Sequence, residues 1–277
     1  MTGDKKDMGM MNETVDNGGG DDGIGKETAP FIEIKIAGQN KRAFFVSNGD
    51  ELKITFDQAQ QFRNPYEKYK ARIEQELLAF CKHNGVQVQI LRPSVICGRL
   101  YDYPLYSTIK FNVMYGWCRF FWNLQRRGHD EPIRILANDN SVLNIVPVDY
   151  AAKACVRSIS TSIEQLNIVY SKSVHVKTLM AKMLHRIGFS SYEFVDEMPA
   201  VLNISERFYY RVVGNVFGSY INSPKTEYET TRLQEMMSDI PESNVLDSLE
   251  NLIGFAMEQD FVDLTYHTKN LKLLTTF

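Results

Sequence analysis

Residues 64 to 98 read as one continuous unit in which an amphipathic helix leads directly into a strongly hydrophobic strand. Asn64 can cap this helix and Pro65 suits its first turn, while Asn84 and Gly85 are typical of its end. Apolar side chains recur within it at helical spacing, at Tyr69, Ile73, Leu77 and Phe80. A helix that returns at once into a buried strand favours an α/β fold, with the Arg-Pro end of that strand at the rim of a parallel sheet.

The same helix carries a tyrosine and a lysine, Tyr66 and Lys70, on one face and about one turn apart. A lysine ammonium beside a phenol favours the phenolate, so we expect Lys70 to lower the pKa of Tyr66. A tyrosine of this kind can exchange a proton with a carbonyl or an alcohol. The alternative is structural, with a buried ring and a lysine whose ammonium reaches the solvent.

A second Tyr-x-x-x-Lys match, Tyr106 to Lys110, shows that the bare motif is weak. The two matches differ in context. Only Tyr66 stands at a predicted helix start that is followed by a buried strand, whereas Tyr106 lies among aromatic residues typical of packing. We therefore predict that Tyr66, and not Tyr106, is the functional tyrosine.

Several ordered segments resemble the extended short-chain dehydrogenase/reductase superfamily. Within it, the chain is most similar to the fatty acyl-CoA reductase and thioester reductase branch, which has NAD-binding domains of the male sterility type. The similar segments are residues 43 to 47 (Ala-Phe-Phe-Val-Ser), the Tyr66 and Lys70 pair, residues 90 to 98 (Ile-Leu-Arg-Pro-Ser-Val-Ile-Cys-Gly), residues 144 to 149 (Asn-Ile-Val-Pro-Val-Asp) and residues 166 to 187.

The resemblance implies a fold and a set of functional residues. The fold would be an α/β, incomplete Rossmann-like (doubly wound) parallel sheet with a small, mainly helical C-terminal cap. The cofactor would be NADPH or NADH. The implied catalytic residues are Tyr66, Lys70 and Ser47, and the implied cofactor-binding residues are Lys70, Arg92, Pro93 and Ser94.

The implied activity is NAD(P)H-dependent reduction of a carbonyl or an acyl thioester. Two alternatives stay open. One is epimerase or dehydratase chemistry on a sugar nucleotide, and the other is a truncated, non-catalytic relative that binds a partner through a bare sheet edge. A small-molecule substrate of acyl or otherwise apolar character is the expected partner, and a homodimer is a further option.

The family's N-terminal unit of strand, glycine-rich turn and helix is missing from this sequence. Residues 20 to 26 fit half of a phosphate-binding loop, but Glu27 replaces the magnesium-binding Ser or Thr, and no hydrophobic strand precedes them. We therefore expect residues 1 to 29 to be a disordered leader, residues 30 to 190 a partial NAD(P)-binding domain and residues 191 to 277 a helical cap. Residues 31 to 40 resemble the segment that these enzymes place before the serine strand, with the intervening helix shortened or absent, but we favour a hairpin of residues 31 to 36 with residues 42 to 46.

Composition and charge set further limits. The net charge of −3 gives no reason to expect nucleic acid or an anionic membrane surface as a partner, and the polar N-terminus shows no secretory signal. The cysteines are widely separated in apolar runs, which suits reduced core positions in a cytoplasmic protein, and no zinc-site spacing is visible. These cysteines are Cys81, Cys97, Cys118 and Cys155.

Residues 106 to 127 are rich in aromatic side chains but too often interrupted by polar ones for a membrane span. We expect core or cap packing, with a substrate channel or a lipid-facing helix as alternatives. Beyond them, residues 133 to 136 and 142 to 146 flank an Asn-Asp-Asn turn and are predicted to form a two-stranded ribbon. Ser173 could cap a helix that stops at Gly188, and the chain from residue 198 onward is predicted to be helical.

Overall fold

The computed structural model describes residues 65–129, 131–222 and 227–264, together with the backbone of residues 35–37 and 42–46. The described strands are β1 (Lys35–Ala37), β2 (Arg42–Val46), β3 (Gln87–Pro93), β4 (Val95–Cys97), β5 (Ile133–Leu136), β6 (Val142–Leu143), β7 (Ile145–Pro147), β8 (Gln165–Ile168), β9 (Val174–His175) and β10 (Tyr192–Val195). The described helices are α1 (Pro65–His83), α2 (Met114–Arg126), α3 (Val148–Ser158), α4 (Val176–Ile187), α5 (Ile204–Tyr209), α6 (Asn215–Ile221), α7 (Thr231–Met236) and α8 (Val245–Glu258). A π-helical turn, Tyr210–Gly214, joins α5 to α6.

The main sheet has the strand order β1-β2-β3-β8, in which β2, β3 and β8 run parallel. β1 pairs antiparallel with β2, which confirms the favoured hairpin, although residues 31–34 lie outside the described part. The mixed α/β architecture with parallel pairs confirms the predicted fold class.

Helix α1 confirms the prediction for residues 65 to 83. It begins at Pro65, and after His83 the chain turns through Gly85, which has a positive φ of 62°. The chain then enters β3. The predicted cap Asn64 lies outside the described residues. The competing pair, Tyr106 and Lys110, lies in an irregular segment, and the Lys110 ammonium is paired with Asp263 at 2.9 Å.

The apolar stripe of α1 does not face the sheet. Tyr69, Ile73 and Phe80 are exposed, and the buried face carries charged side chains at Glu67, Lys70 and Glu74 beside small residues. Helical spacing therefore correctly predicted that these apolar residues lie along one side of α1. The face that packs on β3, however, is the one that carries the charged residues.

The predicted ribbon of residues 133 to 146 is wrong. Strand β5 pairs in parallel with the distant β10, β6 pairs antiparallel with β9, and β7 pairs in parallel with β4. The turn itself exists, because the Asn140 amide donates to Asn138 Oδ1 at 2.8 Å and the Ser141 amide to the Asn138 carbonyl at 3.2 Å. It directs the two flanking segments into different small sheets, in which β7 is buried, β5 is buried at alternate positions and β6 is half-buried.

The aromatic stretch belongs to the core, as expected. Trp117, Phe120 and Phe121 of α2 are almost fully buried, and Trp117 and Phe121 stack at 4.5 Å between ring centroids. This excludes the lipid-facing alternative for that face. No helix in the described part of the chain is long and apolar enough to cross a bilayer.

The later helices agree with the predicted pattern in outline. α4 ends at Gly188, which adopts φ 75°, but His175 and not Ser173 occupies its N-cap, because β9 intervenes. Helix α5 is capped by Asn203, whose Oδ1 accepts from the Glu206 amide at 2.7 Å. In the described part of the chain from residue 204 onward the regular elements are the helices α5 to α8, and the π-helical turn interrupts the winding between α5 and α6.

Candidate functional site

The candidate site lies at the carboxyl edge of the main sheet. Val46 pairs with Leu91 and Ile168 pairs with Pro93, so the carboxyl ends of β2, β3 and β8 reach the same level. Because α1 returns the chain to the amino end of β3, its first turn lies at this carboxyl edge. Open α/β sheets bind ligands at this edge. Tyr66 and Lys70 therefore lie at this edge, and their assignment as catalytic residues stays a prediction.

A buried ion pair fixes how α1 sits on β3. Arg92 Nε donates to Glu74 Oε2 at 3.0 Å, Nη2 donates to Glu74 Oε1, and Nη2 also reaches Gln165 Oε1 at 2.9 Å. Both charged side chains are buried. Such a forked contact orients both partners, so α1 is locked in register with the strand. These contacts give Arg92 a structural task that the sequence did not indicate, since Glu74 resembles an ordinary exposed helical glutamate.

Lys70 lies one turn closer to the edge, about 6 Å along the helix from Glu74. Its side chain is only 7% exposed, and its Nζ has no hydrogen-bond partner among the described residues. The ammonium lies 5.6 Å from the centroid of the Tyr66 ring. Burial lowers the pKa of Lys70 from its ordinary value. A buried ammonium without a partner is costly, so this position fits a ligand that offers oxygen acceptors.

Tyr66 is half-buried, and its pKa differs from the expectation. Burial is the main cause that raises the pKa of Tyr66 well above its usual range, and the phenol of Tyr220 on α6 adds to it. The predicted lowering by Lys70 is therefore wrong for the free protein, because loss of hydration outweighs the nearby ammonium. A phenol with a raised pKa stays protonated at neutral pH and is a weaker acid than an ordinary tyrosine, whereas an efficient proton donor has a pKa near the working pH.

The remaining predicted site residues divide between described and undescribed parts. Ser47 directly follows β2 and lies outside the described residues, so its role stays a prediction. Pro93 ends β3, and the Ser94 hydroxyl donates to Asn144 Oδ1 at 2.9 Å. The site-residue assignments of Pro93 and Ser94 likewise stay predictions.

Asn144 is a buried residue whose hydrogen bonds link two segments of the site, a role that the sequence analysis did not predict. Its Oδ1 accepts from Ser94 and from the Tyr170 amide at 3.0 Å, and its Nδ2 donates to the Tyr170 carbonyl at 2.8 Å and to Ser173 Oγ at 3.1 Å. These bonds use the full capacity of the amide. Asn144 therefore ties the segment after β3 to the segment after β8. An asparagine within the apolar run of residues 142 to 147 was the available signal.

Asp149 holds the loop that follows β4. Its carboxylate accepts from the backbone amides of Leu100, Tyr101 and Asp102 at 3.1, 2.7 and 2.8 Å. The carboxylate also stands in the first turn of α3, where negative charge is favourable. The Val-Pro-Val-Asp step thus acts as a structural anchor beside the site.

Taken together, the edge offers a protonated phenol and a buried ammonium one turn apart. The phenol can deliver a proton to an oxygen that gains negative charge, and the ammonium can hold ligand hydroxyl or phosphate oxygens. No group of three or more His, Cys, Asp or Glu side chains able to hold a metal ion occurs in the described residues.

The comparisons with known proteins identify the family of the chain and support its fold. Residues 8–155 match the family model described as male sterility protein, an NAD-binding domain. The match includes the glycines at 18 to 25, both predicted catalytic residues of α1 and the Val-Pro-Val-Asp step. No curated protein matches the chain.

Solved structures share the fold at low sequence identity. UDP-glucuronic acid 4-epimerase from Bacillus cereus, in complex with UDP-glucuronic acid and NAD, is 13% identical, with a TM-score of 0.50 over 79% of this chain and 62% of that one. A GDP-L-fucose synthetase from Naegleria fowleri is 12% identical, with a TM-score of 0.50 over 79% of this chain and 65% of that one. RMD from Pseudomonas aeruginosa, complexed with NADPH, is 15% identical, with a TM-score of 0.48 over 80% and 67%. The chain thus spans about two thirds of the length of these proteins.

Proposed function

The chain belongs to the male sterility protein family of NAD-binding domains, within the extended short-chain dehydrogenase/reductase superfamily, and from this we propose that it is an NADPH- or NADH-dependent reductase of a carbonyl or an acyl thioester. The cofactor class follows from family membership. The reaction and its substrate are the proposal.

The observation that carries the proposal is the buried Nζ of Lys70. It has no partner among the described residues and lies one turn from Tyr66 at the carboxyl edge of the sheet. The hydroxyl oxygens of a nicotinamide ribose are acceptors of the kind this ammonium lacks. Binding them would compensate the loss of hydration that lowers the pKa of Lys70.

The bound cofactor supplies the hydride. The chain's own residues manage the oxygen: the Tyr66 phenol donates its proton to the carbonyl oxygen as the carbon is reduced, and Lys70 holds the ribose and favours the phenolate that remains. With an acyl thioester, the reduced carbon then expels the thiol and leaves an aldehyde. One hydride and one proton are consumed for each thioester cleaved. Ser47 would orient the substrate oxygen.

The test compares the two Tyr-x-x-x-Lys pairs of the chain. NADPH is titrated against the protein by fluorescence, and its oxidation is followed by absorbance with an acyl-CoA and with the corresponding aldehyde. Lys70→Met should weaken NADPH binding, and Tyr66→Phe should abolish turnover while NADPH still binds. Lys110→Met and Tyr106→Phe are the matched controls and should change neither quantity.

The outcomes separate the alternatives. Unchanged turnover in Tyr66→Phe would exclude the mechanism. If the wild-type chain binds no NADPH, the non-catalytic alternative is favoured. Turnover of a sugar nucleotide without net cofactor oxidation would favour the epimerase or dehydratase alternative.

The exposed apolar stripe of α1 is the proposed surface for a homodimer. Tyr69, Ile73 and Phe80 lie at helical spacing and face solvent, a pattern that suits self-complementary helix pairing across a two-fold axis. Replacing Tyr69 and Phe80 with aspartate should convert a dimer to a monomer in sedimentation velocity. A monomeric wild-type protein would exclude this interface.

A further inference from the structure

The direction of one hydrogen bond at the carboxyl edge of the sheet limits what that edge can bind. Ser94 directly follows β3, so it lies at the edge that holds Tyr66 and Lys70, and it is half-buried. Its backbone amide donates to the Ile168 carbonyl at 3.1 Å, and its hydroxyl donates to Asn144 Oδ1 at 2.9 Å. A serine hydroxyl has one proton and two acceptor lone pairs, so this bond decides what else Ser94 can contact.

The backbone of Tyr170 fixes the orientation of the Asn144 amide. An asparagine amide can turn over unless the partners of its two ends differ in kind. One end of Asn144 accepts from the Tyr170 backbone amide at 3.0 Å, and the other end donates to the Tyr170 backbone carbonyl at 2.8 Å. Because a backbone N–H only donates and a backbone C=O only accepts, the atom next to Ser94 must be the oxygen. The buried amide cannot turn over without losing both bonds.

The Ser94 proton is therefore committed to Asn144. Towards any other group the Ser94 oxygen can only accept a hydrogen bond, and it accepts none from the residues that the structure describes. Ser173 has the opposite arrangement, since its oxygen accepts from Asn144 Nδ2 at 3.1 Å and its own proton is not used by that bond. One buried amide thus sets the polarity of two hydroxyls.

We infer that Asn144 is a positioning residue that makes the Ser94 hydroxyl a selective acceptor for the carboxamide N–H group of a nicotinamide cofactor. The inference rests on the proposed function, which places the cofactor at this edge, and it adds how the amide is distinguished from groups of the same shape. An acceptor that faces a ligand without a donor loses its partner, so such a ligand binds more weakly. A ligand carbonyl turned towards Ser94 would meet a lone pair, because the hydroxyl proton points to Asn144.

The experiment is calorimetric titration of the full chain with NADP⁺ and two neutral analogues, or with the NAD⁺ series if that binds more tightly. The thionicotinamide analogue keeps the N–H donor and replaces the carbonyl oxygen with sulfur. The acetylpyridine analogue keeps the carbonyl and replaces the NH₂ group with a methyl group. The wild type should bind NADP⁺ and the thionicotinamide analogue with similar affinity. It should bind the acetylpyridine analogue about tenfold more weakly, which is the scale of one lost hydrogen bond.

Variants of the serines and the asparagine separate positioning from a general effect on affinity. Ser94→Ala should remove the preference for the carboxamide over the acetyl group, and Ser94→Thr, which keeps the hydroxyl, should retain it. Asn144→Ala should reduce the preference although Ser94 is still present, because its hydroxyl can then rotate and donate to the acetyl carbonyl. Ser173→Ala is the matched control, since it removes the other side-chain partner of Asn144 and should keep the preference. Circular dichroism checks that each variant is folded, and the Ser94 variants decide the question if Asn144→Ala does not fold.

The outcomes distinguish this inference from the proposed function. Equal binding of NADP⁺ and the acetylpyridine analogue by the wild type would overturn the inference, and so would a preference that persists in Ser94→Ala. In both cases the binding of NADP⁺ would still support the proposed function. If Asn144→Ala weakens all three ligands equally, Asn144 has a structural role only and the positioning role is refuted. If no nicotinamide nucleotide binds, the proposed function fails together with the inference.

Discussion

The ion pair between Arg92 and Glu74 allows a sharp test of what locks α1 onto the sheet. Both side chains are buried, and the guanidinium has contacts to Glu74 and Gln165. Removing either partner leaves an uncompensated buried charge, which typically costs about 3–5 kcal/mol. We therefore expect Arg92→Met and Glu74→Met each to lower the free energy of unfolding by about 3 kcal/mol. Removing both should cost less than the sum, because no buried charge is left alone.

The assay is urea unfolding followed by the fluorescence of the two tryptophans, Trp117 and Trp122, with circular dichroism as a second probe. A matched control lies on the same helix, where Arg72 Nε contacts Glu76 Oε1 at 2.8 Å with both side chains exposed. Arg72→Met should produce no measurable change in stability, because exposed pairs contribute little. The comparison keeps the chemistry of the pair and changes only its burial.

Two results would refute this reasoning. If the double variant loses as much stability as the two single variants combined, the two charges act independently. If Arg92→Met keeps wild-type stability but weakens NADPH binding, then the guanidinium serves the cofactor, as the family resemblance implies. NADPH titration of each folded variant therefore accompanies the unfolding measurement.

Three further predictions follow from single positions. Contacts to Arg134 lower the pKa of Glu206 from 4.5 to about 2, so the contribution of this carboxylate to stability is full above about pH 5 and is lost as the pH falls towards 2. The urea midpoints of Glu206→Gln and the wild type should therefore converge over that pH range. Midpoints that stay equally far apart would contradict this assignment. Gly98→Ala would place a methyl group 2.8 Å from the Tyr106 carbonyl carbon and 2.9 Å from Leu252 Cδ2, so it should lower the free energy of unfolding by about 1–3 kcal/mol. Gly218→Ala is the control, because its methyl group would meet nothing within 4 Å, and it should not destabilise the protein. Equal urea midpoints for the two variants would argue against the close approach at Gly98. Because burial lowers the pKa of Lys70, NADPH should bind more weakly as the pH rises through that pKa, with proton uptake seen as buffer-dependent calorimetric heats; a flat pH profile that matches Lys70→Met would contradict it.

The sequence predicted the local elements of the site well. The helix of residues 65 to 83 and the strand that ends in Arg92 and Pro93 depend on caps, glycines and apolar runs that lie within a few residues of one another. The choice of Tyr66 over Tyr106 as a helical residue followed from the same local context, and the structure places only Tyr66 on a helix. The spacing of apolar residues and the positions of glycines and capping residues were therefore sufficient to predict these elements.

What the sequence could not provide depends on distant residues. The spacing of apolar residues predicts an apolar stripe on α1, but it does not predict which face of the helix packs on the sheet. That face is determined by the contact between Glu74 and Arg92, which are 18 residues apart in the sequence. The partner of β5 is β10, which lies far along the chain, so the nearby ribbon was the natural but incorrect choice. The raised pKa of Tyr66 depends on burial and on Tyr220 of α6, neither of which a local motif encodes.

These findings join into one account of how the site is prepared. The buried ion pair costs hydration of two charges, and its geometric effect is to hold Lys70 one turn beyond the strand end, also out of water. Burial then shifts the pKa of Lys70 down and that of Tyr66 up, so in the free protein each group is biased towards its neutral form. A ligand with oxygen acceptors at Lys70 would stabilise the ammonium, and the ammonium would in turn favour the phenolate that forms when Tyr66 gives up its proton. We therefore expect a ligand that engages Lys70 to lower the pKa of the Tyr66 phenol.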